Sequence, residues 1–318
     1  MNRRAHADAQ PKTVPTAARP GEPVIPPALL SVERRPFETF PHFGVMRVGM
    51  VVVQLHMNRR EWLRSAPYHA PSYAERMAAV VQQTLLLADR HQWTFDLLAF
   101  PAGMLNFYAS HNPGRSLIEA PGLNPMLSTL RMVRGCIQSI VLGINVWEKG
   151  GGPAHIRPQG PTWRHLLAAD GGGIVHLIDA SESGRNAEES SHGEQLVSLA
   201  GRRVRLSLDH PLTDPLPPEQ ERIDADVWIN PLSYNHPGGG PSAGSWPVSR
   251  VERRMKHELH PIILPHFRRS RLDGPFWFAG HPERSRPHRW QPVDEAWLSF
   301  QGGRVQLLSF DIPGTAQG

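Results

Sequence analysis

Residues 48–55, VGMVVVQL, form an almost continuous apolar run in which Gln54 is the polar residue. A strand with one solvated face alternates apolar and polar residues, whereas a strand covered on both faces does not. The run therefore predicts a strand that is buried on both sides. Two later segments of similar character, FDLLAFP at residues 95–101 and SIVLGINVW at residues 139–147, predict two further strands.

The residues between these strands follow a helical period. Apolar side chains recur three or four positions apart in residues 77–88, and this spacing gives a helix one apolar face. Residues 124–138 are predicted to form a second helix, which leads into the third strand.

The middle of the chain carries the signals of β-hairpins. Asp-Gly-Gly at residues 170–172 separates two strand-like segments, and Gly201 separates two more, at residues 196–200 and 203–208. Turn residues between short apolar segments are typical of antiparallel hairpins. Helices alternating with strands early in the chain, followed by hairpins, predict an α/β fold with mixed sheets.

The composition is ordinary for a folded protein in water. Of 318 residues, 40% are hydrophobic and 20% are charged, and no run approaches the roughly 18 apolar residues that span a bilayer. One cysteine excludes a disulfide framework within the chain, and the Arg3-Arg4 pair is not followed by the apolar region of a secretory signal. We therefore expect a cytoplasmic protein without a membrane partner.

The first part of the chain differs from the rest. Residues 1–42 are rich in Pro, Ala and Arg and have no sustained period. Such a segment buries too little apolar surface to offset its ordering entropy, so it predicts a disordered arm. The folded domain is predicted at residues 43–312, with a flexible tail at residues 313–318.

The order of segments over about residues 44–312 resembles that of the nitrilase, or carbon–nitrogen hydrolase, superfamily. The resemblance implies an α-β-β-α sandwich with mixed sheets. It also implies a homodimer or larger assembly, to which residues 250–260 would contribute. Six segments carry it: VGMVVVQL (48–55), which contains Gln54, FDLLAFPAG (95–103), DGGGIVHLIDA (170–180), GRRVRLSLDHP (201–211), IDADVWINP (223–231) and WPVSRVERRMKHELHPIIL (246–264).

The resemblance also locates the catalytic positions of that superfamily. Its general-base Glu falls on Ala102, its Lys on Ala180 (or Asp179 with a shift of one residue), and its nucleophilic Cys on Ser207. In that chemistry a thiolate attacks the carbon of a nitrile or amide, a carboxylate carries the proton and a lysine stabilises the oxyanion. The few lysines and the one cysteine of this chain lie in other segments: Lys12, Lys149, Lys256 and Cys136. The sequence therefore predicts the fold without the superfamily's reaction.

Two functional interpretations follow from these positions. A pseudoenzyme would bind a small carboxylate or amide ligand in the inherited pocket, or act as a structural or regulatory partner. An active alternative would hydrolyse amides or esters through a rebuilt site that uses Ser207. A simpler explanation of Asp209 is that it caps the turn with Pro211. The candidate pocket residues are Ser207, Asp209, His210, His176 and Asn230.

A basic stretch provides a third interpretation. Residues 250–289 contain ten Lys or Arg against four acidic residues, a balance that attracts nucleic acid or an acidic partner. A solvated arginine-rich surface is the simpler interpretation, because neither a regular aromatic-interleaved pattern nor a helix-turn-helix pattern accompanies the charge. Nucleic acid is therefore not the expected partner. The candidate basic surface consists of Arg250, Arg253, Arg254, Arg268, Arg269 and Arg271.

No cofactor or metal is predicted. His257 and His260 lack the i, i+4 spacing of a zinc-binding helix. The glycine runs match neither a phosphate-binding loop nor a dinucleotide fingerprint. Cys136, among apolar neighbours, is interpreted as a small buried hydrophobic residue.

Overall fold

The computed structural model describes eleven parts of the chain: residues 44–55, 71–109, 123–148, 163–179, 195–208, 225–232, 261–268, 279–281, 288–289, 292–300 and 303–312. The predicted arm at residues 1–42 and the tail at residues 313–318 lie outside them. So do residues 250–260, the predicted contributors to an assembly contact.

Two helices and fifteen strands make up the described part of the chain. The helices are α1 (Pro71–Arg90) and α2 (Leu123–Met132). The strands are β1 (Met46–Leu55), β2 (Phe95–Ala99), β3 (Leu105–Ala109), β4 (Ile137–Glu148), β5 (Trp163–Asp170), β6 (Gly173–Asp179), β7 (Gln195–Leu199), β8 (Arg202–Leu206), β9 (Val227–Ile229), β10 (Ile262–Ile263), β11 (His266–Arg268), β12 (Ala279–His281), β13 (His288–Arg289), β14 (Asp294–Phe300) and β15 (Gly303–Ile312).

The strands form two mixed sheets. The first has the order β14-β15-β1-β2-β4-β5-β6, with β11 paired to β1 and β3 paired to β4. Within it β1, β2 and β4 are parallel, and β15 runs antiparallel to β1. The second sheet has the order β13-β12-β10-β9-β8-β7, with a parallel centre at β8, β9 and β10. The predicted α/β class with mixed sheets is confirmed.

The sheets pack face to face, and both helices cover the outer side of the first sheet. Alternation along β1 explains why its sequence is apolar throughout. Val51 and Val53 contact the helix side, whereas Met50 and Val52 lie in the core between the sheets, together with Leu206 of the second sheet. A third apolar cluster lies on the other face of the second sheet and contains Trp228, Leu232, Ile262 and Leu264.

Helix α1 ends in a hydrogen-bonded turn that its sequence does not predict. Gln92 adopts a left-handed φ of 54°, and the amide of Trp93 donates to the carbonyl of Ala88 at 3.0 Å. This is the bonding of a Schellman motif, in which a left-handed residue follows the last helical turn. The turn feeds the chain directly into β2.

The predicted hairpin at residues 170–172 is confirmed. The side-chain Oδ1 of Asp170 accepts hydrogen bonds from the amides of Gly172 at 2.7 Å and Gly173 at 3.2 Å. Gly173 has a φ of 137°, a conformation that favours glycine. The turn joins β5 and β6, which pair antiparallel.

Two boundaries predicted from the sequence are wrong. The second helix was expected to reach residue 138 but ends at Met132, because the chain turns where the amide of Cys136 donates to the carbonyl of Val133 at 2.8 Å. Strand β8 was expected to reach residue 208 but ends at Leu206. Ser207 therefore follows the strand, and Asp209 lies outside the described residues.

Neither described helix is long and apolar enough to cross a membrane.

A close backbone approach fixes β4 against the segment that follows β2. A Cβ atom placed on Gly143 would lie 2.5 Å from the Cα of Ala102 and 2.9 Å from the amide nitrogen of Gly103. The amide of Gly103 donates to the carbonyl of Gly143 at 3.1 Å. A side chain at residue 143 would have to displace backbone atoms, so this position requires glycine.

We predict that Gly143→Ala lowers the free energy of unfolding by about 1–3 kcal/mol or more, as expected for overpacking in a core. Gly135→Ala is the matched control, since a Cβ there meets nothing within 4 Å, and we expect it to stay within about 0.5 kcal/mol of the wild type. Urea unfolding of the three proteins measures both effects. Equal stability of the two variants would contradict the close approach.

Candidate functional site

The candidate site is built from chain segments that follow the carboxyl ends of strands. The amide of Ala102, after β2, donates to the carbonyl of Leu232, after β9, at 3.3 Å. The amide of Leu232 donates to the carbonyl of Pro265, after β10, at 2.8 Å. These backbone hydrogen bonds tie the first sheet to the second at this end. The segment that contains Ala102, the position that the resemblance assigns to the general base, thus lies beside the segment that contains Asn230.

Ala102 lies in the apolar core between the sheets and is 1% exposed. Its methyl group can neither accept nor donate a proton. The tight approach of Gly143 on one side and the hydrogen bond to Leu232 on the other hold its backbone in place. This position therefore contributes packing instead of acid–base chemistry.

Ser207 is fully buried, and its hydroxyl has a described partner. The indole Nε1 of Trp228 donates to the Oγ of Ser207 at 2.8 Å. The backbone amide of Ser207 donates to the carbonyl of Ile229 at 3.1 Å, which continues the parallel pairing of β8 with β9. The serine side chain thus completes the hydrogen bonding of a buried tryptophan.

The Ser207 hydroxyl and the Ala102 methyl group face different environments. Val204 and Leu206 belong to the core between the sheets, whereas Trp228 belongs to the cluster on the other face of the second sheet. The guanidinium of Arg205 stacks over the Trp228 ring, with its Cζ 3.9 Å from the ring centroid. The hydroxyl therefore contacts a layer of Trp and Arg on that other face, away from the core that holds Ala102.

Two more predicted pocket residues lie within the described part of the chain. Asn230 is fully buried, and its backbone amide donates to the carbonyl of Ile263 at 3.0 Å. His176 on β6 pairs with Ala168 and is half-buried on the face turned to the second sheet. Burial lowers the pKa of His176 by desolvating its charged form. Neither residue contacts Ser207 through a described hydrogen bond.

The remaining predicted site residues lie outside the description. Ala180, Asp209 and His210 are not among the described residues. Arg268 is described as part of β11, without its side chain. The other arginines of the candidate basic surface, namely Arg250, Arg253, Arg254, Arg269 and Arg271, also lie outside. The serine-triad and nucleic-acid interpretations stay predictions from the sequence.

Cys136 occupies the turn between α2 and β4 and is half-buried. Burial, followed by the hydrogen bond from its thiol to Asp89 at 3.5 Å, raises the pKa of Cys136. A raised pKa disfavours the thiolate, which is the nucleophilic form. Across the residues that the structure describes, no group of three or more His, Cys, Asp or Glu could hold a metal ion.

Sequence reasoning missed several buried polar residues on the first sheet. His165 is fully buried on β5, and the Nδ1 of buried His266 lies 2.8 Å from the carbonyl oxygen of Leu264. Gln54 and Gln306 are buried on the neighbouring strands β1 and β15. Only Gln54 carried a sequence signal, as the polar residue within an apolar run.

Comparisons with known proteins give results for structure but none for sequence. No protein-family model matches the sequence, and no curated protein matches it. The chain is similar to a mutant of the Nesterenkonia AN1 amidase from the nitrilase superfamily, with 14% identity, a TM-score of 0.47, and coverage of 86% of this chain and 92% of that chain.

Two other solved structures are similar to the chain. For the C. elegans NitFhit protein the identity is 11% and the TM-score 0.44, with 85% of this chain and 61% of that chain covered. For Saccharomyces cerevisiae Nit3, a member of branch 10 of the nitrilase superfamily, the values are 12% and 0.43, with coverage of 84% and 90%.

Two facing mixed sheets, with helices on the outer side of the first, match three layers of the α-β-β-α sandwich that the sequence resemblance implied. The described residues form an α/β fold of two facing mixed sheets. Within it, the segments after β2 and β8 carry Ala102 and Ser207 at the positions that the resemblance assigns to general base and nucleophile.

We predict that Ser207→Ala lowers the free energy of unfolding by about 1–3 kcal/mol, because the buried indole N–H of Trp228 loses its acceptor. The same substitution should lower the free energy of unfolding clearly less in a Trp228→Phe background, because the phenylalanine side chain has no N–H that could lose its acceptor. Chemical denaturation of the four proteins of this double-mutant cycle measures the coupling.

Ser198→Ala is the matched control for this cycle. Ser198 is half-buried on β7 in the same sheet, and we expect its truncation to change stability by about 0.5 kcal/mol or less. Equal costs of Ser207→Ala in the wild-type and Trp228→Phe backgrounds would refute the structural role of the hydroxyl.

Proposed function

We propose that this chain is a nitrilase-like pseudoenzyme: it has lost amide and nitrile hydrolysis and binds a small ligand. One observation carries most of this proposal. The hydroxyl at the nucleophile position is fully buried and accepts a hydrogen bond from the indole of Trp228. A serine that serves a neighbouring tryptophan in this way has a structural reason to be present.

The chemistry of serine supports the same conclusion. A serine hydroxyl has almost no alkoxide at neutral pH, so it needs a base that takes its proton. Among the described residues, the hydrogen-bond partner of the Ser207 hydroxyl is an N–H donor, and a donor cannot remove a proton. A substrate would also have to reach an oxygen that is shielded from solvent.

The position of the general base supports it as well. Removal of a proton-transfer group costs a factor of about 10² to 10⁴ in rate, and removal of an oxyanion donor costs about 10² to 10³. Ala102 offers no proton acceptor, and the three lysines of the chain lie in segments other than the one that the resemblance assigns to lysine. These losses together make the superfamily's reaction ineffective here.

A panel of amides, nitriles and activated esters tests the proposal. We expect no release of ammonia or acid by the wild type while a nitrilase-superfamily amidase in the same assay is active. Ser207→Cys should also be silent, because a restored thiol still lacks its base and its oxyanion donor.

Turnover by the wild type that disappears in Ser207→Ala and persists in Ser198→Ala would overturn the pseudoenzyme proposal and establish a serine hydrolase. Because Ser207→Ala is expected to be less stable, the three proteins are compared at a temperature at which circular dichroism shows all of them folded.

The resemblance further leads us to propose a homodimer or larger assembly, with residues 250–260 in the contact, and the composition leads us to propose the cytoplasm as its location. Size-exclusion chromatography with light scattering measures the assembly. The expected mass is that of two or more chains, and neutralisation of Arg250, Arg253 and Arg254 should reduce it. A single-chain mass over a range of protein concentrations would contradict this proposal.

A further inference from the structure

The face of β15 that looks toward the second sheet changes character at Gln306. Leu308 and Phe310, on the same face, belong to the apolar core between the sheets. Gln306 and Arg304 follow at the alternate positions toward the start of the strand. The apolar core therefore ends at this edge of the sandwich, and polar side chains take its place. We call Gln54, Trp297, Arg304 and Gln306 the rim site.

Two contacts hold the guanidinium of Arg304 in a defined plane. Its Nε donates to the Oε1 of Gln54 at 2.6 Å, and its Cζ lies 4.2 Å above the centroid of the Trp297 ring. Gln54 is buried, which restricts its movement. Stacking on an aromatic ring and a hydrogen bond through Nε leave the two terminal NH₂ groups of a guanidinium available as a parallel pair of donors.

The positive charge of Arg304 has no described counter-ion. Arg47, by contrast, forms an ion pair with Asp311 at the other end of β1 and β15. A planar pair of N–H donors on a fixed guanidinium matches the two oxygens of a carboxylate. Arg304 thus offers a built receptor for such a group.

Gln306 adds an acceptor beside this receptor. Its side chain is 3% exposed, and its Nε2 donates to the Oε1 of Glu295 at 2.9 Å. That bond fixes the orientation of the amide, because a carboxylate oxygen requires a donor. The other polar atom, Oε1, has no hydrogen-bond partner in the described structure. A buried acceptor without a partner costs free energy, which a ligand N–H would recover.

The exposed edge of the rim site is Trp297, which is 41% exposed and pairs directly with Gln306 across β14 and β15. Its ring supplies an apolar surface next to the guanidinium and the amide. Residues two apart on a strand lie roughly 6–7 Å apart, so Arg304 and Gln306 can contact neighbouring groups of one small molecule.

We propose that the rim site binds a small carboxylate that carries an adjacent N–H group, as an N-acylated amino acid does. The carboxylate accepts hydrogen bonds from the terminal NH₂ groups of Arg304, the N–H donates to the Oε1 of Gln306, and the acyl group lies against Trp297. This proposal names the ligand class of the proposed pseudoenzyme. It rests on the proposed function in one respect, namely that the protein binds a ligand. It uses neither Ala102 nor Ser207, and binding is measured independently of turnover.

Isothermal titration calorimetry with three matched compounds tests the assignment. N-acetylglycine has both recognised groups, its methyl ester lacks the carboxylate, and propionate lacks the N–H. We expect N-acetylglycine to bind the wild type most tightly, propionate more weakly, and the ester not at all. If N-acetylglycine produced no heat of binding at concentrations up to about 10 mM, its dissociation constant would be too high for a specific site. That result would overturn the proposal.

Two variants locate the binding. Arg304→Lys keeps the charge but loses the paired donors, and it should weaken N-acetylglycine binding by about tenfold or more. Arg47→Lys makes the same change at the other end of the sheet and should leave binding unaltered. Equal effects of the two variants would refute the assignment of the rim site.

Gln306→Met keeps the assignment testable if Arg304→Lys fails to fold. It removes the acceptor with little change in shape, so it should abolish the preference for N-acetylglycine over propionate and leave propionate binding intact. A preference that survives in folded Gln306→Met would overturn the role of the Oε1 atom. Hydrolysis of any panel substrate would contradict the pseudoenzyme proposal and leave these binding results unchanged.

Discussion

Burial of β1 on both faces is the constraint on which the rest of the structure depends. All ten residues of the strand pair with β15, and its other edge pairs first with β2 and then with β11. One face must be covered by helices and the other by a second sheet, because an exposed apolar strand would forfeit about 25 cal/mol for each Å² left in water. The two-sheet arrangement is the way in which this chain covers both faces.

The same constraint sets how closely neighbouring elements approach β1. A Cβ atom on Gly49 would lie 2.6 Å from the Cδ1 of Leu98, so β2 packs where β1 has no side chain. Beyond Ala99 the chain leaves the edge of β1, and β11 pairs with Val52 in its place. This exchange of partners brings the segment after β2 to the second sheet, where Ala102 meets Leu232. Packing around β1 therefore positions the candidate site before any of its chemistry is considered.

These relations explain which features the sequence predicts. Apolar runs predict β1, β2 and β4 because burial on both faces leaves a local signal, and Asp170 predicts its hairpin because the turn is bonded by its own side chain. Strands β10 to β13 have two or three residues each, and their pairing is decided by distant segments. The contact of Ser207 with Trp228 joins residues 21 apart, one directly after β8 and the other on β9, so no local pattern reveals it. No local pattern predicts the contacts of Arg304 either, since its partners come from β1 and β14.

The indole of Trp228 also gives a physical reason for a serine at residue 207. A buried indole N–H needs an acceptor, and a hydroxyl oxygen is a good one, whereas a thiol sulfur is weak. Once Trp228 occupies the face beside β8, serine satisfies it better than the cysteine that the superfamily's reaction requires. Packing and catalysis then make opposite demands on the same atom, and the burial of Ser207 shows which demand its environment meets. Polar recognition in such a fold requires a place where packing tolerates unmatched donors and acceptors. The rim site, where Arg304 and Gln306 face the end of the apolar core, is the place that we propose for it.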